Sequence, residues 1–351
     1  MAGGQERVLR RRIKSIQSTK KITKAMELIA ASQIVRAQGR IASAKPYQRG
    51  MARIVLETAL GDPVAAGRLL GTPETIGKVA VLAVVADRGL CGAYNTSVLR
   101  ATERLMAAGA PNGVEYRLFT AGKKAQGYFR FRGQEVERSF TGISERPTFT
   151  DARDVAAAVL TPFVDGEVDQ VVVVSTRFLS AGSQRVEVRQ LLPLIDPRQL
   201  ADTDDGATPE AAPGASGGHP APGRHPAPAA SAASAASAAS AASAASEGPL
   251  GYTEFEPDAA ILLETLAPRA AETEIFAALL EAAASEVTSR QRAMAAATEN
   301  AGELITKYSR IMNRARQDTI TTEIMEIVGG AEALRAGSDT DERGLIIETK
   351  V

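Results

Sequence analysis

The sequence predicts an α/β domain carried between two long helices that pair as an antiparallel coiled coil. Three observations point there. Both ends of the chain place apolar residues at alternating spacings of three and four, over stretches longer than ordinary globular helices. Between them, short runs of Val, Ala and Leu alternate with helical segments, the pattern of a largely parallel sheet. Aromatic residues make up only 4% of the chain and Trp is absent, although 44% of residues are hydrophobic. The apolar surface therefore comes from Ala, Leu, Ile and Val, which suits long helices.

The first helix is expected over residues 1–57, reading clearly from residue 5. Leu9, Ile13 and Ile16 form one four-then-three set, and Ile22, Met26 and Ile29 form a second. The segment from Gln17 to Lys21 separates them, with a phase shift of about one residue between the sets. Pro46 is expected to kink this helix or end a segment of it.

The α/β domain spans 78–202. Val79–Ala86 is a continuous apolar run, as in a strand covered on both faces. Val114–Thr120, the alternating Gln134–Phe140, and Asp169–Thr176 supply three more strands, with helices near 95–109, 122–130 and 150–164 between them. Gln184–Leu194 follows a Gly-containing turn and is expected as an antiparallel edge strand. Residues 203–249 run from acidic through Pro/Gly/His-rich to repeated Ala-Ala-Ser. Such a segment has no side chains with which to build a core, so it reads as a disordered insert, after which 250–257 return to the domain. It is either an inert spacer or an element that brushes a neighbouring surface.

The second helix is expected over 258–336, with 337–351 as a flexible tail. Phe276, Leu280, Ala283 and Val287, then Met294, Ala297, Ala301, Leu304, Tyr308, Ile311 and Ala315, give a heptad seam over about 40 residues. One helix enters the α/β domain and the other leaves it, so a paired arrangement must run antiparallel. The second is longer, which leaves an overhang from near Ile311. Ile320, Ile324, Ile327, Ala331 and Leu334 continue an apolar stripe along that overhang, which predicts another chain around it.

Composition also excludes functions. The 351 residues carry 41 basic and 41 acidic side chains, but residues 1–53 hold 13 Lys/Arg against only Glu6 and Glu27. A basic arm fits nucleic acid, a membrane surface, or pairing with the acidic last segment. Both histidines, His219 and His225, fall in the low-complexity insert. A zinc site, a Ser-His-Asp triad and a Cys-His pair are therefore out of reach. The single cysteine, Cys91, fits a reducing compartment. No signal peptide or membrane-spanning run is expected. Asp87-Arg88-Gly89-Leu90-Cys91-Gly92 follows the first strand but is not a dinucleotide fingerprint, and Gly122-Lys123-Lys124 lacks the rest of a P-loop. The glycines read better as permitting a tight strand-to-helix turn. Lys20, Lys21 and Lys24 have no interleaved aromatics on which bases would stack. No catalytic, cofactor-binding or metal-ligating residue emerges.

Three motifs carry a resemblance. Ser15–Ser32 (SIQSTKKITKAMELIAAS), Asp87–Gly92 (DRGLCG) and Arg314–Ala331 (RARQDTITTEIMEIVGGA) closely resemble, in order, motifs of the gamma subunit of F-type ATP synthases. The resemblance covers nearly the whole chain except 203–249 and the residues after about Leu334. It implies an antiparallel coiled-coil axle with a Rossmann-like foot. The axle would turn inside a ring of alternating alpha and beta subunits, and the foot would sit with epsilon on the membrane c-ring. Such a subunit couples proton flow to ATP synthesis in the beta subunits, is not itself an enzyme, binds no cofactor, and lies peripherally on the cytoplasmic side of the cell membrane. Residue by residue, it implies partner contacts at Met26, Arg88, Arg316 and Gln317. The insert and the acidic tail depart from the family pattern. The other reading of the residues is a nucleic-acid-binding coiled coil using the basic arm; an α/β enzyme with helical oligomerisation arms lacks a site.

Overall fold

A computed structural model describes residues 2–61, 76–193 and 258–343, with side chains over 5–59, 76–193 and 258–333. The insert at 203–249, the return at 250–257 and the last residues of the tail lie outside the described residues. Two long helices dominate: α1 (Ala2–Gly61) and α5 (Ala259–Arg343). At 1.5 Å per residue they extend about 90 and about 130 Å. Pro46 and Pro268 sit inside them and end neither. Residues 337–343, expected as the start of the tail, are helical: no proline interrupts α5 after Pro268, and each added residue extends the ladder by one hydrogen bond.

The two helices pair antiparallel. Thr298 donates to Thr23 Oγ1 at 2.8 Å, Gln48 donates to Glu274 Oε1 at 2.9 Å, and the Arg12 guanidinium lies 5.1 Å from the Tyr308 ring centroid. The seam of α1 runs without a break in four-three spacing through Leu9, Ile13, Ile16, Lys20, Thr23, Glu27, Ala30, Ile34, Ala37, Ile41, Ala44, Gln48, Met51, Val55 and Thr58, all buried or half-buried. The expected phase shift is absent. Ile22 and Ile29, expected in the seam, are 60% and 58% exposed. Lys20 and Thr23 hold the register instead, with the Lys20 ammonium lying over Gly302, where a Cβ would approach Nζ to 3.0 Å. On α5 the expected seam residues Leu304 and Ile311 are exposed, and their neighbours Ile305 and Met312 are turned inward. A continuous heptad through Met294, Thr298, Ala301, Ile305, Tyr308, Met312, Ala315 and Thr319 matches that of α1. Pairing ends where α1 begins, so the unpaired stretch of α5 starts near Ile320 rather than Ile311, and residues 320–333 are all exposed.

Between the helices lie β1 (Lys78–Val84), α2 (Tyr94–Gly109), β2 (Glu115–Ala121), α3 (Lys123–Phe131), β3 (Arg138–Phe140), α4 (Phe149–Val164), β4 (Gln170–Phe178) and β5 (Gln184–Leu192). The sheet order is β3-β2-β1-β4-β5, parallel except for the antiparallel edge β5. β3 is shorter than the expected 134–140. Gly133 turns at φ +73°, Gln134 donates its amide to Phe129 O, and the chain reaches β2 only at Glu137, whose amide bonds Leu118 O. A short edge strand leaves few unpaired backbone groups.

Both faces of the sheet are covered, which is why β1 is buried along nearly its whole length. Val79, Val81, Leu118 and Val172 face α2 and α3 through Val98, Leu99, Ala125 and Phe129. Ala80, Leu82, Phe119 and Val171 face α4 and the base of the coiled coil, including Val55, Leu263, Ile275 and Leu279. The stalk base is thus one layer of the foot's own core.

Candidate functional site: the stalk surface and its collar

The turn after β1 forms a collar against the stalk. Asp87 accepts three backbone hydrogen bonds: from Lys123 at 3.0 Å, from Gly142 at 2.9 Å and from Ser144 at 3.2 Å. Its own amide donates to Ser144 Oγ at 3.0 Å. Burial pushes the carboxyl up, but the backbone donors outweigh it and hold Asp87 below the usual carboxylate range. Lys123 is the first residue of α3, so the anion position at that helix N-terminus is already filled by a carboxylate. Phosphate binding there would require expelling it. The Gly-rich turn is structural, as its spacing suggested.

Farther along, Leu90 holds a left-handed φ of +64° and Gly92 one of +59°, the bend that lets the chain enter α2. Cys91 and Tyr94 turn inward, and the Tyr94 hydroxyl donates to Ala282 O of α5 at 3.1 Å. Burial pushes the Cys91 thiol up and the Tyr94 phenol well up, so neither is an activated nucleophile. Arg290 of α5 donates to Gly89 O at 3.4 Å and to Glu286 Oε1 at 2.6 Å. On the other side Arg40 of α1 donates to Glu145 O at 3.4 Å. The collar holds both stalk helices.

An expected pH response follows. Asp87 is bound more tightly as a carboxylate in the folded chain, so its contribution is complete above its ordinary pKa and is lost as pH falls through the depressed folded value. Asp87→Asn presents an amide N–H to at least one of three N–H donors and is expected to cost about 2 kcal/mol at pH 7. The difference from the unmodified chain should vanish in urea titrations at strongly acid pH. A pH-independent difference would count against the carboxylate.

The four residues marked by the resemblance do not converge. Arg88 projects from the collar, 75% exposed, and pairs with Glu145 at 3.1 Å. Such a pair is worth at most about 1 kcal/mol and exchanges partners readily. Met26 is half-buried beside the seam, between Thr23 and Ala30. Arg316 and Gln317 are exposed on α5, roughly 30 Å farther toward the tip. They are stations along a rod. The sequence reading missed a further set: Ile22, Leu28, Ile29 and Val35 on α1, and Leu304 and Ile311 on α5, are exposed apolar side chains on the paired part of the stalk. The signal was available in an unbroken heptad through Lys20 and Thr23, which leaves Ile22 and Ile29 outside it. Among the described residues, no group of three or more His, Cys, Asp or Glu is placed to hold a metal ion, and no helix is long and apolar enough to cross a membrane.

Comparison with known proteins agrees with this architecture. The ATP synthase family model matches residues 5–334. The chain is 41% identical over 344 residues to the ATP synthase gamma chain of Frankia casuarinae, covering 95% of this chain and 99% of that protein. It is 40% identical over 346 residues to the ATP synthase gamma chain of Mycolicibacterium vanbaalenii, covering 93% and 97%. Its fold is similar to a chain of the Euglena gracilis mitochondrial ATP synthase, with TM-score 0.58 at 18% identity, covering 99% of this chain and 98% of that one. A chain of the Tetrahymena thermophila mitochondrial ATP synthase central stalk and c-ring is similar at TM-score 0.52 and 20% identity, covering 79% and 99%.

Proposed function

The chain belongs to the ATP synthase gamma chain family, and from that premise we propose that it is the central rotor stalk of a bacterial ATP synthase. Its partners are the alpha and beta subunits around the stalk, with epsilon and the c-ring at the foot. The subunit is non-catalytic and peripheral, on the cytoplasmic side of the cell membrane. The observation that carries the reading is the free end of α5. Ile320, Ile324 and Ile327 are exposed on a single helix with no partner among the described residues, a face that a surrounding sleeve would cover. Coexpression with alpha and beta subunits tests it. The expected result is a complex of fixed stoichiometry in which ATP hydrolysis turns a probe fixed to the foot. Steep salt-dependent retention on DNA, with no such complex, would instead favour the nucleic-acid reading.

A rotor needs no bond-making groups of its own. It presents different surfaces to three beta subunits in turn, and each surface favours one conformation of its neighbour, hence one nucleotide affinity. An asymmetric rod does this: α1 and α5 carry different exposed side chains, and beyond residue 320 α5 alone continues among the described residues.

Within this reading Met26, Arg88, Arg316 and Gln317 contact the beta subunits. Arg316 offers a forked donor to a carboxylate, and Gln317 offers both donor and acceptor. Arg88 can trade Glu145 for an acidic partner segment without leaving the collar. Met26 is placed for a sliding contact, where a thioether adapts to changing neighbours. Met26→Lys puts a charge at that half-buried position, to be solvated or paired at some rotor angles and not at others. The expected outcome is fewer protons pumped per ATP in membrane vesicles, with hydrolysis retained. An unchanged ratio would remove Met26 from the coupling surface.

A further inference from the structure

Two kinds of contact join the foot to the stalk, and they differ in what they can resist. Against α4 and the sheet, the base of α5 packs Leu263, Ala270, Ile275, Ala278 and Leu279. Apolar attraction of this kind is strong but non-directional, and large side chains such as Leu263 and Ile275 resist displacement by packing alone. Against the β4–β5 hairpin the same helix presents a polar row. Glu274 accepts from Arg189 at 3.0 Å, and from Gln48 of α1 on its other oxygen. Ser285 donates to Thr176 O at 3.4 Å, Ser289 to Gln184 Oε1 at 3.1 Å, and Arg292 to Ala181 O. Positions 274, 281, 285, 289 and 292 lie on one helical face. Glu281 sits in this row beside Arg189 and Arg177; burial pushes its carboxyl up and the two arginines oppose that. Arg189 also lies 3.5 Å from Glu187, and Glu187 lies 3.9 Å from Arg177. Glu274 is 8% exposed and Arg189 20% at the side chain, so these charges are held largely out of water.

We propose that this row, centred on Glu274 and Arg189, is the joint that fixes the foot's angle about the stalk, so that torque passes between them without slip. The inference rests on the rotor reading. Directional, charge-assisted bonds add to that packing a resistance that depends on the angle between their partners. Glu274 ties its own helix α5 to two other elements, α1 and β5, so a twist of the foot must strain it. Glu274 and Arg189 act as positioning residues: they touch no reacting group.

The test uses the complex of this chain with its alpha and beta subunits, held to a surface and stalled with a non-hydrolysable nucleotide. Cys91 is buried, so a probe can be attached through Arg130→Cys on the exposed side of α3, and its angular distribution recorded. Glu274→Gln combined with Arg189→Met removes both charges with little change of volume and leaves no carboxylate stranded at 274. The expected distribution is roughly 1.5-fold wider, because the central Glu274–Arg189 tie goes while Ser285, Ser289 and Arg292 remain. Arg189→Lys, which keeps the charge, should stay near the unmodified width. An unchanged width in the double variant overturns the proposal, as does a lysine variant as broad as the double variant. Loss of stalk from the complex, with normal width in the complexes that remain, also overturns it in favour of a merely structural pair. Failure of the unmodified probe to turn with ATP would count against the rotor reading itself, a separate result.

Discussion

Arg290→Ala is expected to destabilise the foot by about 3–5 kcal/mol, because it strands a carboxylate in the interior. Glu286 is 0% exposed. One of its oxygens takes the Arg290 guanidinium at 2.6 Å. Burial holds the Glu286 carboxyl above the usual carboxylate range, and Arg290 chiefly, with a smaller contribution from Ser144, opposes the rise. Without Arg290 the acid is favoured further. Stability is then complete at pH below the ordinary glutamate value and is lost as pH rises from there through the elevated folded value. The variant should therefore be closer to the unmodified chain near pH 5 than near pH 8. Urea unfolding at the two pH values measures it. The double replacement Glu286→Met with Arg290→Met removes donor and acceptor together and is expected to lie within about 1.5 kcal/mol of the unmodified chain. A loss of under 1 kcal/mol for Arg290→Ala would show that water reaches the pair.

Much of the fold was legible in the sequence, and the misses have specific causes. The run Val79–Ala86 could only be a strand covered on both faces, and the structure covers it with α2 and α3 on one side and the stalk base on the other. The two helices of the seam were located correctly, but the seam residues were in part misread: on α5 Thr298, Ile305 and Met312 stand in it where Ala297, Leu304 and Ile311 were expected. Leu304–Ile305 and Ile311–Met312 each offer two phases, and periodicity within one helix does not choose between them. The facing helix does, through Arg12 on Tyr308 and Thr23 on Thr298. In α1 the error ran the other way: Lys20 and Thr23 are polar, so a hydrophobic template skipped them and took Ile22 and Ile29. The collar's glycine turn was legible; its keystone was not. Asp87 meets Gly142 and Ser144 across more than 50 residues of chain, as Arg189 meets Glu274 across 85. Such pairings depend on tertiary approach and leave no local pattern.

The largest functional loss is expected at the free end of α5. Replacing Ile320, Ile324 and Ile327 together with Ser should leave the chain folded yet speed its dissociation from the alpha and beta subunits by roughly a thousandfold. The three are 45%, 54% and 72% exposed, lie at four-three spacing on one face, and follow Thr319, the last half-buried residue of the seam. Their removal therefore costs the isolated chain little beyond helix propensity, a few tenths of a kcal/mol each. In a sleeve each would regain about 1.5 kcal/mol of burial, and together about 4 kcal/mol corresponds to a thousandfold in an equilibrium constant. Circular dichroism of the variant should match the unmodified chain, while stalk content per catalytic head falls on dilution. A control at Val164, 66% exposed at the end of α4 in the foot, separates a specific sleeve contact from a general loss of apolar surface. If Val164→Ser lowers stalk content as much as the triple replacement, or if the triple replacement leaves it unchanged, the apolar face of the overhang is not what the partner ring grips. In that event the polar stations at Arg316 and Gln317 would have to hold the tip alone, and raising the salt concentration should then weaken the Arg316 contact.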